Sequence, residues 1–138
     1  MQIEISPTRR GLMIGAAQAC AALALAGTAA ASETLPKLTV TRDPNCGCCG
    51  NWVEHMKAAG FPVAVVQVDD VMPLKARLGV PEALMSCHTA EIGGYVIEGH
   101  VPAEAVKRLL TERPKATGIA VADMPVGSPG MEVPGQAP

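Results

Sequence analysis

Aromatic and basic side chains are scarce in this sequence of 138 residues. Aromatic residues make up only 2%, with one Trp, one Tyr and one Phe. That is too few for the stacking platforms on which single-stranded nucleic acids are bound. Lys and Arg together number 11 against 13 acidic residues, which gives a formal net charge of −2. The sequence therefore lacks the basic footprint of a protein that binds DNA, RNA or an anionic membrane surface.

Sulfur, in contrast, is abundant. The chain carries five Cys and seven Met, a large supply of soft ligands for its length. Hydrophobic residues make up 49%, so one domain with a real core is expected, and the length is too short for two ordinary domains. Composition alone thus directs attention to sulfur chemistry within a single small domain.

The N-terminal region predicts an export signal over residues 1–31. Arg9 and Arg10 precede an apolar run, which ends in Ala-Ala-Ala-Ser, a small-x-small cleavage pattern. The arginine pair resembles a twin-arginine signal. The run is long enough to span a bilayer, so a permanent anchor is the alternative, but its Ala and Gly content favours a cleaved leader. We therefore expect a periplasmic protein without a permanent membrane anchor, and Cys20 is expected to leave with the leader.

Strand and helix patterns alternate along residues 32–113. Their order, β-α-β-α-β-β-α, is typical of an α/β protein with a thioredoxin-like mixed sheet and helices on both faces. The β-branched run at residues 63–68 is typical of a strand buried on both faces. Residues 114–138 are rich in Pro and Gly, and we expect this tail to lack regular structure and to cover a functional site.

Cysteine placement is the most specific local signal. Cys46, Cys48 and Cys49 form a Cys-Gly-Cys-Cys motif between the first strand and the first helix, where thioredoxins carry their redox pair. Cys87 precedes the predicted hairpin, in a loop that such folds bring against the start of the first helix. A fourth sulfur is therefore expected to meet the other three.

Three chemistries are open to these cysteines. Structural disulfides suit an oxidising compartment, but three thiols in one short loop make a poor framework for linking distant parts of a fold. A thiol–disulfide enzyme is the second, with Cys46 as nucleophile and Cys49 as resolving thiol. Metal binding is favoured, because crowded thiolates suit bridging between several soft ions better than one tetrahedral zinc. Soft sulfur donors with His and Met nearby select copper over hard cations.

Four motifs follow one another along the chain, at residues 46–52, 86–89, 94–102 and 124–132. Together they resemble the CopG-type periplasmic copper-resistance proteins, a family long catalogued as a domain of unknown function. The resemblance runs in order through nearly all of the chain that follows the leader. It implies a thioredoxin-like fold, a cysteine-bridged site for several Cu(I) ions, and a role in copper sequestration, transfer or redox cycling. Another exported copper-handling protein is the expected protein partner.

Further ligands are expected among the histidines and methionines. His88 adjoins the fourth cysteine, and its alternative is an exposed loop imidazole. His100 is a candidate ligand that can instead position its turn. Met124 and Met131 lie in the Pro/Gly-rich tail and can lend thioether sulfur. His55 lies about 10 Å along the helix from the thiols, so a structural role is expected for it.

Overall fold

The structure, a computed structural model, describes residues 34–136. The predicted export signal and Cys20 lie outside these residues. No helix in the described part of the chain combines the length and apolarity that crossing a bilayer requires.

Within residues 34–136, five strands form one mixed sheet in the order β2-β1-β3-β4-β5. β1 pairs in parallel with β2 and antiparallel with β3, β3 pairs antiparallel with β4, and β4 pairs in parallel with β5. The strands are β1 (Leu38–Arg42), β2 (Val63–Gln67), β3 (His88–Ile92), β4 (Tyr95–Glu98) and β5 (Gly118–Ala120). The predicted thioredoxin-like α/β fold is confirmed, with the predicted elements in the predicted order.

In the described part of the chain, three α-helices and one short 3-10 turn connect the strands. The helices are α1 (Gly47–Ala58), α2 (Met72–Leu78) and α3 (Ala103–Glu112), and the 3-10 turn is Glu82–Leu84. Trp52 of α1 packs on His88 of β3, whereas Lys75 of α2 reaches Thr89, the next residue of that strand. Because successive residues of a strand point to opposite faces, α1 and α2 cover opposite faces of the sheet.

The main core lies on the α1 face. Trp52 and Met56 of α1 are fully buried with Val40 and Ile97 of the sheet and Val106 of α3. This burial fixes α1 across the central strands. The N-terminus of α1 is therefore held at the edge of the sheet where β1 ends.

The prediction of a β2 buried on both faces is wrong. In the sheet that the described residues form, β2 is an edge strand and pairs with β1 alone. Val65 and Val66, which point to opposite faces, are 42% and 44% exposed. The helices cover the central strands and leave β2 partly exposed. The apolar run alone therefore gives a wrong prediction of the burial of β2.

The C-terminal region departs from the expectation of an irregular tail, because Gly118–Ala120 forms β5. A Cβ atom on Gly118 would lie only 1.8 Å from the carbonyl oxygen of Val96, so only glycine permits this approach of β5 to β4. Beyond β5 the backbone follows turns at Gly127 and Gly130, both with positive φ. The predicted tail thus begins as part of the sheet.

Candidate metal centre

The Cys-Gly-Cys-Cys motif lies at the N-terminus of α1. Cys46 is the N-cap residue with an extended backbone, and its carbonyl accepts the amide hydrogen bond of Gly50. Cys49 is fully buried against the core. Cys46 and Cys49 are joined in a disulfide, while Cys48 and Cys87 are free and half-buried. The structure therefore shows the oxidised form of the C-x-x-C pair.

Cys48 links the disulfide to Cys87. Its Sγ lies 3.5 Å from Sγ of Cys46 and 3.8 Å from Sγ of Cys87. The four cysteine sulfurs all lie within 4.8 Å of one another. The structure thus brings together four cysteines that are separated by up to 41 positions in the sequence.

The pKa of the Cys87 thiol is raised above its usual value. Burial, followed by the neighbouring Cys48, raises the pKa of Cys87 to about 11. The metal-free thiol therefore keeps its proton near neutral pH. A metal ion that binds there must displace this proton, because the thiolate is the ligand.

His88 is buried, so the alternative of an exposed loop imidazole is wrong. Its ring centroid lies 4.5 Å from that of Trp52, and its Nδ1 lies 3.3 Å from Sγ of Cys87. Burial, and next the neighbouring His100, lowers the pKa of His88 to about 3. Among the described residues, His88 Nε2 is the one buried side-chain nitrogen or oxygen without a hydrogen-bond partner. A neutral imidazole suits metal ligation, and Nδ1 is the ring nitrogen that lies beside the Cys87 thiol.

The imidazole of His100 is oriented by the tail. Its Nδ1 lies 2.8 Å from the carbonyl oxygen of Pro129, and its Nε2 lies 3.1 Å from Sγ of Cys87. Because a carbonyl only accepts, Nδ1 carries a proton and donates to Pro129, and Nε2 is the ring nitrogen that faces Cys87. A backbone carbonyl on the remote ring nitrogen is the usual partner of a metal-binding His.

The tail also contacts the cysteine motif directly. Sδ of Met124 lies 3.9 Å from Sγ of Cys48, although the Met124 side chain is 46% exposed. A Cβ atom on Gly130 would lie 2.8 Å from both the Cys48 carbonyl oxygen and the Trp52 amide nitrogen. Met131 is half-buried, and among the described residues the hydrogen bond from a cysteine thiol to a tail methionine is the one that Met124 accepts. Met124 is thus the tail sulfur that lies beside the site.

His55 serves α3. Its Nε2 accepts a hydrogen bond of 3.1 Å from the backbone amide of Ala103, the first residue of that helix. This contact satisfies one of the amides that a helix N-terminus leaves unpaired. Among the described residues, neither candidate metal group includes His55.

Two overlapping groups define the site. The first contains the four cysteines, and the second contains Cys87, His88 and His100, with Cys87 common to both. The sequence had suggested all of these residues. It did not single out Pro129, whose carbonyl orients His100, because a backbone acceptor in a Pro/Gly-rich tail leaves no side-chain signature.

Fold and site together define a thioredoxin-like α/β protein with a group of thiols and imidazoles that can hold metal. A family model described as "Protein of unknown function, DUF411" matches residues 84–131. The solved structure titled "Copper resistance protein copG- Form 2" is 46% identical with a TM-score of 0.71, covering 75% of this chain and 83% of that chain. "Copper resistance protein copG- Form 1" is 47% identical with a TM-score of 0.69, covering 74% and 81%.

At this identity and coverage, the chain belongs to the CopG copper resistance protein family. No curated protein matches it.

Proposed function

We propose that this chain is an exported copper-binding protein in which Cys46, Cys48, Cys49 and Cys87 hold several Cu(I) ions through shared thiolates. The observation that carries the proposal is the convergence of all four sulfurs within 4.8 Å of one another. The titles of the related structures, which name copper resistance proteins, support copper as the metal. The proposed role is sequestration, transfer or redox cycling of copper in copper resistance.

The donor set explains the choice of ion and the sharing of thiolates. Four thiolates, two imidazoles and one thioether are soft or borderline ligands, which suit Cu(I) and exclude Mg²⁺ and Ca²⁺. Cys48 and Cys49 are adjacent in the chain, and their side chains differ in burial. Adjacent cysteines seldom point at one small ion, whereas sulfur bridges allow each to bind a different pair of ions.

His88, His100 and Met124 are the proposed additional ligands. The neutral imidazole of His88, through Nδ1, and Nε2 of His100 both face Cys87. Met124 lies at the exposed side of Cys48, where a thioether can pass Cu(I) to or from solvent. The two histidines would then hold the inner side of the site and Met124 its outer side.

The oxidation state of the cysteines controls this function. The disulfide between Cys46 and Cys49 cannot supply two thiolates. Two electrons and two protons convert it into two thiols, and metal binding then releases protons.

We propose that the predicted leader, residues 1–31, directs the chain to the periplasm. There, another exported copper-handling protein exchanges copper with it.

Metal analysis of anaerobically purified protein tests the proposal. The fully reduced chain should bind more than one copper ion, and the chain with the Cys46–Cys49 disulfide intact should bind fewer. The same preparation should be offered equimolar zinc and copper. A stoichiometry of one zinc per chain, with copper excluded, would overturn the multinuclear copper site.

A thiol–disulfide oxidoreductase is the second candidate. The observation in its favour is the disulfide at the N-terminus of α1 with the free thiol of Cys48 3.5 Å from Cys46. Insulin reduction by the metal-free reduced chain separates the two functions. Activity that is abolished by Cys46→Ser supports the enzyme, whereas absence of activity in a chain that loads copper supports the binding protein.

A further inference from the structure

A buried polar network lies on the α2 face of the sheet, opposite Trp52. Lys75 of α2 donates to Glu98 Oε1 and, at 2.8 Å, to Thr89 Oγ1. Thr89 Oγ1 in turn donates to Glu98 Oε2 at 2.7 Å. The side chains of Lys75 and Glu98 are only 3% and 2% exposed. Neither the core nor the proposed copper ligands account for a charged pair at this depth.

The carboxylate of Glu98 has one more partner, and that partner leads to the site. The backbone amide of Ser86 donates to Glu98 Oε1 at 2.7 Å. Ser86 immediately precedes Cys87, and the chain next to Glu98 leads through Gly99 to His100. The Gly99 amide donates to the carbonyl of His88 at 3.1 Å, which ties the two segments together again.

A contribution to stability alone is a weak explanation for this arrangement. Removing two charges from water costs several kcal/mol per ion, and well-packed apolar residues often serve stability as well or better. The amide of Ser86, in contrast, needs an acceptor that is fixed in space. A carboxylate held by Lys75 and Thr89 has little freedom to move, so it fixes the backbone that carries Cys87.

We propose that Glu98 is a positioning residue for Cys87, with Lys75 and Thr89 holding its carboxylate in place. Through Ser86 it keeps the Cys87 sulfur 3.8 Å from Cys48 and 3.1 Å from His100. The inference rests on the proposed function only where it treats Cys87 as a copper ligand. The positioning itself is a property of the metal-free chain.

Two substitutions at Ser86 test whether its amide hydrogen bond to Glu98 positions Cys87, and both leave the Lys75–Glu98 side chains unchanged. Ser86→Pro removes the amide donor, and the extended backbone of Met85 (φ −64°, ψ 140°) suits the residue before a proline. Ser86→Ala keeps the amide and removes only the hydroxyl, which both variants lose. The measurement is the rate at which iodoacetamide alkylates Cys87 in the full chain with the Cys46–Cys49 disulfide intact, followed by mass spectrometry of the Cys87 peptide.

We expect Ser86→Pro to raise the alkylation rate of Cys87 about tenfold over Ser86→Ala, as the loss of one hydrogen bond to a charged group implies. Circular dichroism should show both variants folded. Equal rates in the two folded variants would overturn the proposal. If Ser86→Pro fails to fold, the following pair decides the matter.

The second pair of variants changes the side chain of residue 98, which accepts the hydrogen bond of the Ser86 amide. Lys75→Met/Glu98→Gln removes both charges but keeps an oxygen that can accept from Ser86, whereas Lys75→Met/Glu98→Leu removes the oxygen as well. If Glu98 positions Cys87, alkylation of Cys87 should be slow in the Gln variant and fast in the Leu variant. Each variant is measured at the same number of degrees below its own thermal unfolding midpoint. A purely structural network predicts equal rates in the two variants, and that result would contradict the proposal.

Copper retention separates this inference from the proposed function. The reduced Ser86 variants are loaded with Cu(I) and then challenged with a Cu(I) chelator. Faster loss of copper from Ser86→Pro supports both claims. Faster alkylation with unchanged copper retention keeps Glu98 as the positioning residue and counts against Cys87 as a copper ligand.

Discussion

His100 Nε2 lies 3.1 Å from the Cys87 sulfur, while the opposite ring nitrogen of His100 donates to the Pro129 carbonyl. Three separate segments of the chain therefore meet at one imidazole. The loop before β3 supplies the sulfur of Cys87, the segment before α3 supplies the imidazole of His100, and the tail supplies the carbonyl that orients this ring. This arrangement places a ring nitrogen next to Cys87, the thiol whose pKa is raised by burial.

His100→Leu should lower the Cu(I) affinity of the reduced chain by at least about tenfold, because a soft donor beside Cys87 is lost. Competition with a Cu(I) chelator under anaerobic conditions measures the effect. His55→Gln is the matched control, since His55 caps α3 through its Nε2 and lies outside both candidate metal groups. Equal losses of affinity in the two variants would point to general destabilisation and remove His100 from the ligand set.

Gly130→Ala should displace the tail from α1. Its φ of +88° disfavours any side chain, and the added Cβ would meet two backbone atoms of α1 at 2.8 Å. Gly135→Ala is the control, because Gly135 has a similar φ of +82° but no atom within 4 Å of the added Cβ. The backbone cost of order 1 kcal/mol is common to both variants.

The clash is present only at Gly130, so thermal unfolding should show a larger loss of stability for Gly130→Ala than for Gly135→Ala. We also expect Gly130→Ala to weaken copper retention, since Pro129 and Met124 move with the tail. Identical unfolding curves for the two variants would show that the tail does not dock on α1.

His88 should make folding sensitive to acid. Its pKa is about 3 in the folded chain and near 6.5 when unfolded, so the unfolded chain takes up the proton first as pH falls. The stabilising contribution of the neutral ring is complete above about pH 6.5 and is lost progressively down to about pH 3, a total on the order of a few kcal/mol.

Chemical denaturation across this pH range measures the effect, with His88→Leu as the control that lacks the titrating group. The difference between the two unfolding free energies should change with pH in that window, wild type losing more stability on acidification. Parallel curves would show that His88 is not buried in its neutral form.

The sequence predicted the convergence of the four cysteines better than it predicted the edges of the sheet. Cys87 could be placed near Cys46, Cys48 and Cys49 because strand order determines which loop faces the start of α1. The exposure of β2 could not be predicted, since a β-branched run looks the same in a central strand and at an edge. β5 was missed because three residues that include Gly118 give no periodic signal.

The polar network around Glu98 could not be predicted from the sequence for a different reason. Lys75 lies in a short helix between the buried Leu74 and the exposed Ala76, and a lysine in such a helix is normally solvated. Its burial follows from the packing of α2 against the sheet, which local sequence does not reveal. Similarly, the tautomer of His100 depends on a backbone carbonyl 29 positions away.

Copper per folded chain, measured for wild type and Cys87→Ser after anaerobic reduction and loading, tests the central claim most directly. If thiolates bridge the ions, removing one sulfur breaks several metal bonds together, and the hard serine oxygen cannot replace it. We predict that Cys87→Ser lowers the copper stoichiometry by more than one ion, with circular dichroism unchanged. Full copper loading of a folded Cys87→Ser chain would contradict the four-thiolate site.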